Sequence, residues 1–365
     1  MTVWSAIGTI SGTSADGIDI AEIGTDAETV KRFGPAGTSP YATKTRDAVL
    51  QAIARGPSDR SDWPLISQAV TEDHAHAIGV FLRQHKLAPH FIVFHGQTVW
   101  HDPDKGQTVQ LGDPKKLASM LSLPVISDVR QADLRAGGQG APVVPVYHRA
   151  LLKSVDLPGG YTADRPMCFL NIGGVSNLTF LSGDKILSFD IGPGNALLDD
   201  WLRQKGVASF DEDGQWSARG DVHDDRVRAA LGHPFFELPG PKSLDRNAFS
   251  LELVRGLSVE DGASTLAAIT TASIAASVAL LPEPPVLWVV CGGGRKNKTI
   301  MAGLRKALGV DVIDADDCKI DGDAIEAQAM AFLGARNRAG LPTTYPETTG
   351  AHGPVVGGEI YLPGL

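Results

Sequence analysis

Three short glycine-rich stretches are the residues of this chain whose types and spacing could do chemistry. The first is Gly12-Thr13-Ser14-Ala15-Asp16-Gly17, which runs on into Ile18 and Asp19. The second is Gly173-Gly174-Val175-Ser176-Asn177, and the third is Gly292-Gly293-Gly294. Glycine has no Cβ, so backbone N–H groups beside it can approach phosphate oxygens closely, and consecutive N–H groups in a turn form an anion-binding concavity. Taken singly, each stretch is an ordinary tight turn. Each, however, ends a strand-like run, and together they are spread over both halves of the chain, as a nucleotide clamped between two domains would require. None is a P-loop, because the G-x-x-x-x-G-K-[ST] pattern and its lysine are absent, and no G-x-G-x-x-G follows the first apolar run.

Other chemistries are less well supported. His95 and His101 share no i, i+4 helical face, and no cysteine or acidic cluster beside them completes a tetrahedral metal site. No serine sits in a G-x-S-x-G elbow.

The elements that must position the glycine turns are readable from pattern. Val3–Ile10 and Ile18–Ile23 are apolar or β-branched runs that make the first turn the tip of a hairpin. Helical stretches are expected around 43–54 and 65–86, and short buried strands at Phe91–Phe94 and Val125–Ser127. A second unit is expected from about residue 166. There Cys168–Asn171, Val175–Leu181 and Ile186–Asp190 read as three consecutive strands, followed by a helix that Asn195 could cap. Val286–Cys291 reads as a buried strand delivering the third glycine cluster, with Asn297 as the cap of the next helix and a last helix at 324–339. The expected domains are therefore 1–165 and 166–365, the last helix being free to pack back on the first domain. Both halves share the layout of a hairpin with a glycine- and hydroxyl-rich tip, without a strict sequence repeat.

Composition narrows the class. The chain has 365 residues, 43% of them hydrophobic, so it can bury a sizeable core. With 33 basic and 42 acidic residues the formal charge is −9, a poor balance for grasping nucleic acid or an anionic membrane. The 41 glycines and 23 prolines point to many tight turns. Three widely spaced cysteines form no metal-type pair and suit a reducing, cytoplasmic compartment. The uncharged run Gly262–Pro282 is long enough for a membrane span, but its hydroxyls and the helical spacing of Leu266, Ile269, Ile274, Val278 and Leu281 predict a buried helix.

Taken in order, the motifs resemble the anhydro-N-acetylmuramic acid kinases. The resemblance rests on residues 7–19, His95-Gly96-Gln97-Thr98-Val99-Trp100-His101, Gln110-Leu111-Gly112-Asp113 and Asp128-Val129-Arg130 with Gly137–Pro142. It continues through Asn171–Thr179, Phe189-Asp190-Ile191-Gly192-Pro193-Gly194-Asn195, Cys291–Gly294 and Glu326-Ala327-Gln328-Ala329. The resemblance implies an α/β, two-domain actin-like (hexokinase-like) ATPase fold whose domains close on ATP at a central cleft. It also implies a reaction: ATP-dependent 6-phosphorylation of 1,6-anhydro-N-acetylmuramic acid with hydrolytic opening of the anhydro bridge, in cell-wall recycling.

Site residues follow from the same resemblance. Asp190 matches the family's catalytic aspartate, a general base for water; the competing explanation is a turn or helix cap. Gly12 to Asp19, with Gly173, Gly174 and Asn177, would hold the phosphates, and Gly292, Gly293 and Gly294 would lie toward the adenosine. Mg²⁺ should accompany ATP, with Asp16 and Asp19 both open as ligands or as turn-forming aspartates. Arg130 would face the substrate's lactyl carboxylate, unless it forms a surface ion pair with Asp128 or Asp133. Thr98 and Glu326 match positions near the sugar, Glu326 otherwise lying on an exposed helix face. The family also suggests a homodimer. Two departures stand out: Ile191 replaces the usual threonine, and Pro241-Lys242-Ser243-Leu244-Asp245-Arg246 diverges after Ser243. The alternatives are an actin-like kinase for another amino sugar and a non-catalytic sugar-binding regulator; a regulator usually carries a basic DNA-binding module, and none is apparent.

Overall fold

The computed structural model describes residues 2–244 and 248–364, so Asp245 and Arg246 of the divergent segment lie outside the described residues. Two compact units emerge, one formed by Met1–Ser154 with Ala324–Leu365 and the other by Val155–Asp323. The expected partition at 165/166 therefore needs correction, because the whole segment Ala324–Leu365, and not merely its helix, belongs with the first unit.

The first unit contains β1 (Trp4–Ser11), β2 (Ile18–Thr25), β3 (Val30–Ser39), β4 (Phe91–Asp102), β5 (Gln107–Leu111) and β6 (Val125–Ser127). The second contains β7 (Met167–Ile172), β8 (Val175–Ser182), β9 (Lys185–Pro193), β10 (Leu287–Cys291) and β11 (Asp311–Asp314), and the chain ends with β12 (Glu359–Tyr361) back in the first. The first sheet runs β12-β6-β4-β1-β2-β3, with β5 pairing β4. Strands β1, β2 and β3 form an antiparallel meander, while β4 lies parallel to β1 and β6 parallel to β4. The second sheet runs β11-β10-β7-β8-β9. There β7, β8 and β9 are the meander, and β10 and β11 are added in parallel on the β7 side. The same order, a three-stranded meander extended by two parallel strands from its first strand, is thus used twice. This is the two-domain actin-like architecture.

The return of the last segment has a packing cause. The helix Ile325–Arg338 is rich in small residues and is buried almost all round. A Cβ on Gly8 of β1 would come within 1.9 Å of the Ala327 carbonyl, so helix and strand backbones touch directly there. Gly334 similarly lies against Val93 and Phe91 of β4. The other face of this sheet is covered by the helices Thr43–Arg55 and Trp63–His85, which bury Val49, Val70 and Ile78 against Ile7, Ile92 and Phe94.

In the second unit, Cys168, Leu170, Ile172, Trp288 and Val290 of the sheet pack on Ile274 and on Ile300 and Leu304 of the helix Lys298–Leu308. Val259–Leu280 is long and apolar enough to cross a membrane, yet most of it is buried within the protein. Its hydroxyls are bonded inside: Ser264 donates to the Ser217 carbonyl at 2.7 Å and Thr270 to that of Gly194 at 3.1 Å. The buried-helix expectation agrees with this placement.

Strands β3, β5, β11 and β12 were not foreseen. Strand β3 lies at an edge, is largely exposed and contains Pro35, so it has neither a continuous apolar run nor regular alternation. Asn297 caps its helix as expected, accepting from the N–H groups of Thr299 and Ile300. Asn195 does not; it stands at the N-cap position of Ala196–Gln204, but its side-chain amide donates to the Ile172 carbonyl at 3.3 Å.

Candidate active site

In the first unit, the β1–β2 turn is open to solvent at Gly12, Thr13, Ser14 and Asp16. Its shape is fixed by Ser11 Oγ, which donates to the Gly17 carbonyl at 2.8 Å, and by the Ala15 N–H, which donates to the Gly12 carbonyl at 3.0 Å. Gln97 adds a brace that the sequence reading did not single out. Fully buried, it donates from Nε2 to the Gly12 carbonyl at 3.0 Å and accepts the Tyr41 hydroxyl at 3.2 Å. Only its place in the motif carrying Thr98 could have signalled it. Asp16 forms an exposed ion pair with Arg46 at 3.5 Å, worth little in water. Asp19 is half-buried and accepts the Thr38 hydroxyl at 2.6 Å.

Arg130 forms no ion pair with Asp128 or Asp133 among the described residues. It instead donates from Nε to His95 Nε2 at 2.9 Å and from Nη1 to the Gly140 carbonyl at 2.8 Å. Asp128 is engaged by the Tyr361 hydroxyl, and Asp133 by the Gly140 N–H with the hydroxyls of Thr344 and Thr349. Glu326 lies in the first turn of its helix and is exposed to solvent, as the helix-face explanation expected. The surrounding protein nevertheless raises its carboxyl pKa; the like charge of Asp19 adds to the rise and Arg130 opposes it. Asp19, Arg130 and Glu326 therefore share one electrostatic neighbourhood. Thr98 on β4 is half-buried, its hydroxyl accepting from Gln110 at 3.2 Å. His101 bonds Thr108 at 3.1 Å.

In the second unit, Asp190 sits on β9 opposite Asn177 on β8. Its backbone N–H donates to the Lys242 carbonyl at 2.9 Å, and its Oδ2 accepts the Leu244 N–H at 2.8 Å. Oδ1 makes no hydrogen bond among the described residues. Burial pushes the carboxyl up from 3.8 to about 6, against the opposing pull of the Leu244 N–H and the Lys242 charge. Lys242 is 8% exposed, donates to the Phe235 carbonyl at 2.8 Å and lies over the Phe235 and Phe189 rings. Asp190 thus accepts a loop N–H from within a strand and caps no helix. Ile191 is buried in the core on the alternate side of the strand, among the apolar residues of the sheet.

The glycines of this unit divide by role. Gly173 and Gly174 present their carbonyls to the backbone N–H groups of Asn195 and Gly194, at 2.7 and 3.0 Å. That contact needs Gly194, since a Cβ there would sit 2.2 Å from the Gly173 carbonyl. Gly292 has φ +76°, and a Cβ on it would fall 2.3 Å from Asn171 Oδ1. Gly294 is packed equally tightly on Ile172, whereas Gly293 has room. Gly293 lines a cavity of about 620 Å³ with Asn195, Arg203, Phe210, Asp213 and Lys296. Of these lining residues sequence reasoning placed only Gly293 toward the nucleotide; Asn195 lay in the motif carrying Asp190 but was read as a helix cap, and the others come from separate elements that carry no common motif. Arg295 braces the loop from behind: it is 2% exposed, donates to the Gly292 carbonyl at 3.0 Å and pairs with Asp314, Asp316 and Asp323.

The arrangement can hold anionic and polar ligands and can ionise a carboxylate near neutral pH. Among the described residues there is no group of three His, Cys, Asp or Glu side chains that could enclose a metal ion. Mg²⁺ needs no such cage, taking one or two carboxylates with waters and phosphate oxygens, and the half-buried Asp19 is a donor of that kind.

Comparison with known proteins places this geometry in context. Residues 5–363 match the family model described as anhydro-N-acetylmuramic acid kinase. The chain is 47% identical over 363 residues to the anhydro-N-acetylmuramic acid kinase of Rhodospirillum rubrum, covering 98% of this chain and 94% of that protein. It is 45% identical to the Bradyrhizobium diazoefficiens protein of the same name, covering 98% and 99%. The 2-hydroxyglutaryl-CoA dehydratase component A of Acidaminococcus fermentans superposes with a TM-score of 0.46 at 10% identity, over 91% of this chain and 99% of that one. With Asp190, the glycine turns and Arg130 all lying inside a match that spans nearly the whole chain, the protein belongs to the anhydro-N-acetylmuramic acid kinase family.

Proposed function

We propose that this protein phosphorylates 1,6-anhydro-N-acetylmuramic acid with ATP while water opens the anhydro bridge, giving N-acetylmuramic acid 6-phosphate and ADP in cell-wall recycling. The observation that carries the reading is Asp190: a half-buried carboxylate with one oxygen unbonded among the described residues and a pKa raised to about 6. Such a group is ionised at neutral pH yet basic enough to take a proton in the transition state. Asp190 accepts a proton from water as the water oxygen bonds to the anomeric carbon. The bond from that carbon to the bridging oxygen breaks, and this oxygen, now O6, bonds to the γ-phosphorus as ADP leaves.

The remaining groups bind and orient. The backbone of the β1–β2 and β7–β8 turns serves the phosphates, and the cavity beside Gly293 suits adenosine, with Phe210 offering a ring face to the base. Arg130 takes the lactyl carboxylate end-on, and Thr98 and Glu326 serve sugar hydroxyls. Asp19 is the candidate donor for Mg²⁺, which when bound would neutralise charge on the phosphate oxygens. The three cysteines are free and buried, which suits a reducing cytoplasm. A homodimer, suggested by the resemblance, belongs to the same proposal and is read by light scattering at assay concentration.

The test is ADP release with 1,6-anhydro-N-acetylmuramic acid in ¹⁸O-labelled water. The reading requires a 6-phosphorylated product carrying the label on the anomeric carbon. Phosphorylation without label points to a kinase for another acceptor, and sugar binding without ADP release to a regulator.

A further inference from the structure

We propose that His95 is a positioning residue: a neutral imidazole, protonated at Nδ1, that aims Arg130 at the carboxylate of the sugar substrate. The inference rests on the substrate reading above and assigns a role to a side chain that the reaction itself does not use.

The tautomer follows from the two partners. Nδ1 lies 2.9 Å from the Gly96 carbonyl, which can only accept, so Nδ1 carries the proton. Nε2 lies 2.9 Å from Arg130 Nε, which can only donate, so Nε2 carries the lone pair. One neutral form satisfies both contacts, whereas the cation has no lone pair to offer Arg130. His95 is 4% exposed. Burial, with the Arg130 charge beside it, holds its pKa down at about 3, in keeping with that form.

The second fixed point on the guanidinium is equally built. Gly140, whose carbonyl takes Arg130 Nη1, is held through its own N–H by Asp133 Oδ2 at 2.7 Å. Asp133 is 1% exposed and is itself fixed by the hydroxyls of Thr344 and Thr349 at 2.5 and 2.7 Å. Two acceptors on separate elements therefore set the guanidinium plane. Nη2 has no protein partner among the described residues, so its N–H groups are left for an incoming carboxylate.

The chemistry of the acceptors matters. A carboxylate beside Arg130 would orient it equally well, but it would also cancel its charge and compete with the ligand. An imidazole lone pair and a peptide carbonyl orient the fork without neutralising it directly; the carboxylates of Glu326 and Asp133 act on its charge without a hydrogen bond to it among the described residues.

The experiment compares two sugars, 1,6-anhydro-N-acetylmuramic acid and 1,6-anhydro-N-acetylglucosamine, which has the same ring without the lactyl carboxylate. In His95→Leu, KM for the carboxylate sugar should rise about 10–100-fold, in the range for a displaced positioning group. Its kcat, the KM for ATP and the kinetics of the second sugar should change little. His95→Gln, which keeps an acceptor near the Nε2 position, should recover most of the preference. Combined with Arg130→Met, His95→Leu should have no further effect on selectivity, as coupled residues require. An equal loss with both sugars, or additive losses in the double variant, overturns the proposal while leaving the kinase reading intact. Wild-type protein that turns over neither sugar overturns the kinase reading and this one with it. Should His95→Leu not fold, the ¹⁵N–¹H spectrum of wild-type histidines decides: Nδ1–H on His95 supports the assignment, and Nε2–H refutes it.

Discussion

Replacing Asp190 with asparagine should move activity and stability in opposite directions. Asparagine has nearly the same shape, and its side-chain carbonyl can still accept the Leu244 N–H that Asp190 accepts at 2.8 Å, so the loop should stay in place. What disappears is the base. General-base catalysis contributes about 10²–10⁴-fold, which corresponds to about 3–5 kcal/mol of barrier. With a pKa of about 6, roughly 90% of the wild-type carboxylate is ionised at pH 7. Wild-type kcat/KM should therefore fall about tenfold per pH unit below 6, and the Asp190→Asn enzyme should lose that limb. Stability runs the other way. The folded pKa lies above the unfolded value of 3.8, so between about pH 4 and 6 the folded state holds more protons and stability declines as pH rises. Above about pH 6 the full penalty of the buried charge is present. A shift of that size corresponds to about 3 kcal/mol, reduced toward 1–2 kcal/mol because the side chain is only half-buried. The Asp190→Asn variant should therefore melt a few degrees higher than wild type at pH 7.5 and show no gain at pH 3.5. The assays are ADP release across pH 5–9 and calorimetry at the two pH values. Activity within tenfold of wild type with a retained acid limb would refute the assignment of Asp190 as base, whatever the stability.

The second unit's glycine loop and its surroundings support further expectations. Gly292→Ala, at φ +76° and against Asn171 and Ile172, should lose about 1–3 kcal/mol of stability, read by urea unfolding. Gly293→Ala meets only Asn195 Nδ2 at 3.5 Å; it should leave stability unchanged and raise KM for ATP, and the opposite pattern would reverse the two roles. Phe210→Ala, in a cavity-lining residue that is 55% exposed, should raise KM for ATP about 5–150-fold at nearly constant kcat, from about 1–3 kcal/mol of base stacking; an unchanged KM removes the adenine from this cavity. Arg295→Met should cost about 2 kcal/mol, below the usual 3–5 for breaking a buried pair, because its carboxylate partners Asp316 and Asp323 are 56% and 64% exposed and can be rehydrated. A thermal shift indistinguishable from zero would mean the cluster contributes nothing net.

Legibility in the sequence followed the range of each interaction. The meander β7–β8–β9 and the strand leading to Gly292 were readable because apolar runs and glycine turns are local signals, and Asn297 as a cap needed only its neighbours. Asn195 had the same cap signature, yet its amide went to the Ile172 carbonyl, a partner brought beside it by the β7–β8 turn. Strand β3 escaped notice because an edge strand need not be apolar.

For the site, sequence pattern by itself supplied the glycine turns at the ends of strands, and the resemblance to the kinase family nominated Asp190, Arg130, Thr98 and Glu326 as candidates. Residue type dictates what a group can donate, accept or ionise, and that much is local. Tertiary structure decided what each group does with that capacity. It placed Arg130 on His95 and Gly140 instead of on Asp128 or Asp133, and it gave Asp190 a raised pKa through burial. It also split one glycine cluster into packing positions and a cavity wall. It carried Ala324–Leu365 back to the first unit, where the Ile325–Arg338 helix lies on Gly8. Desolvation, steric room and partner choice arise from residues distant in sequence, and only the folded chain brings them together.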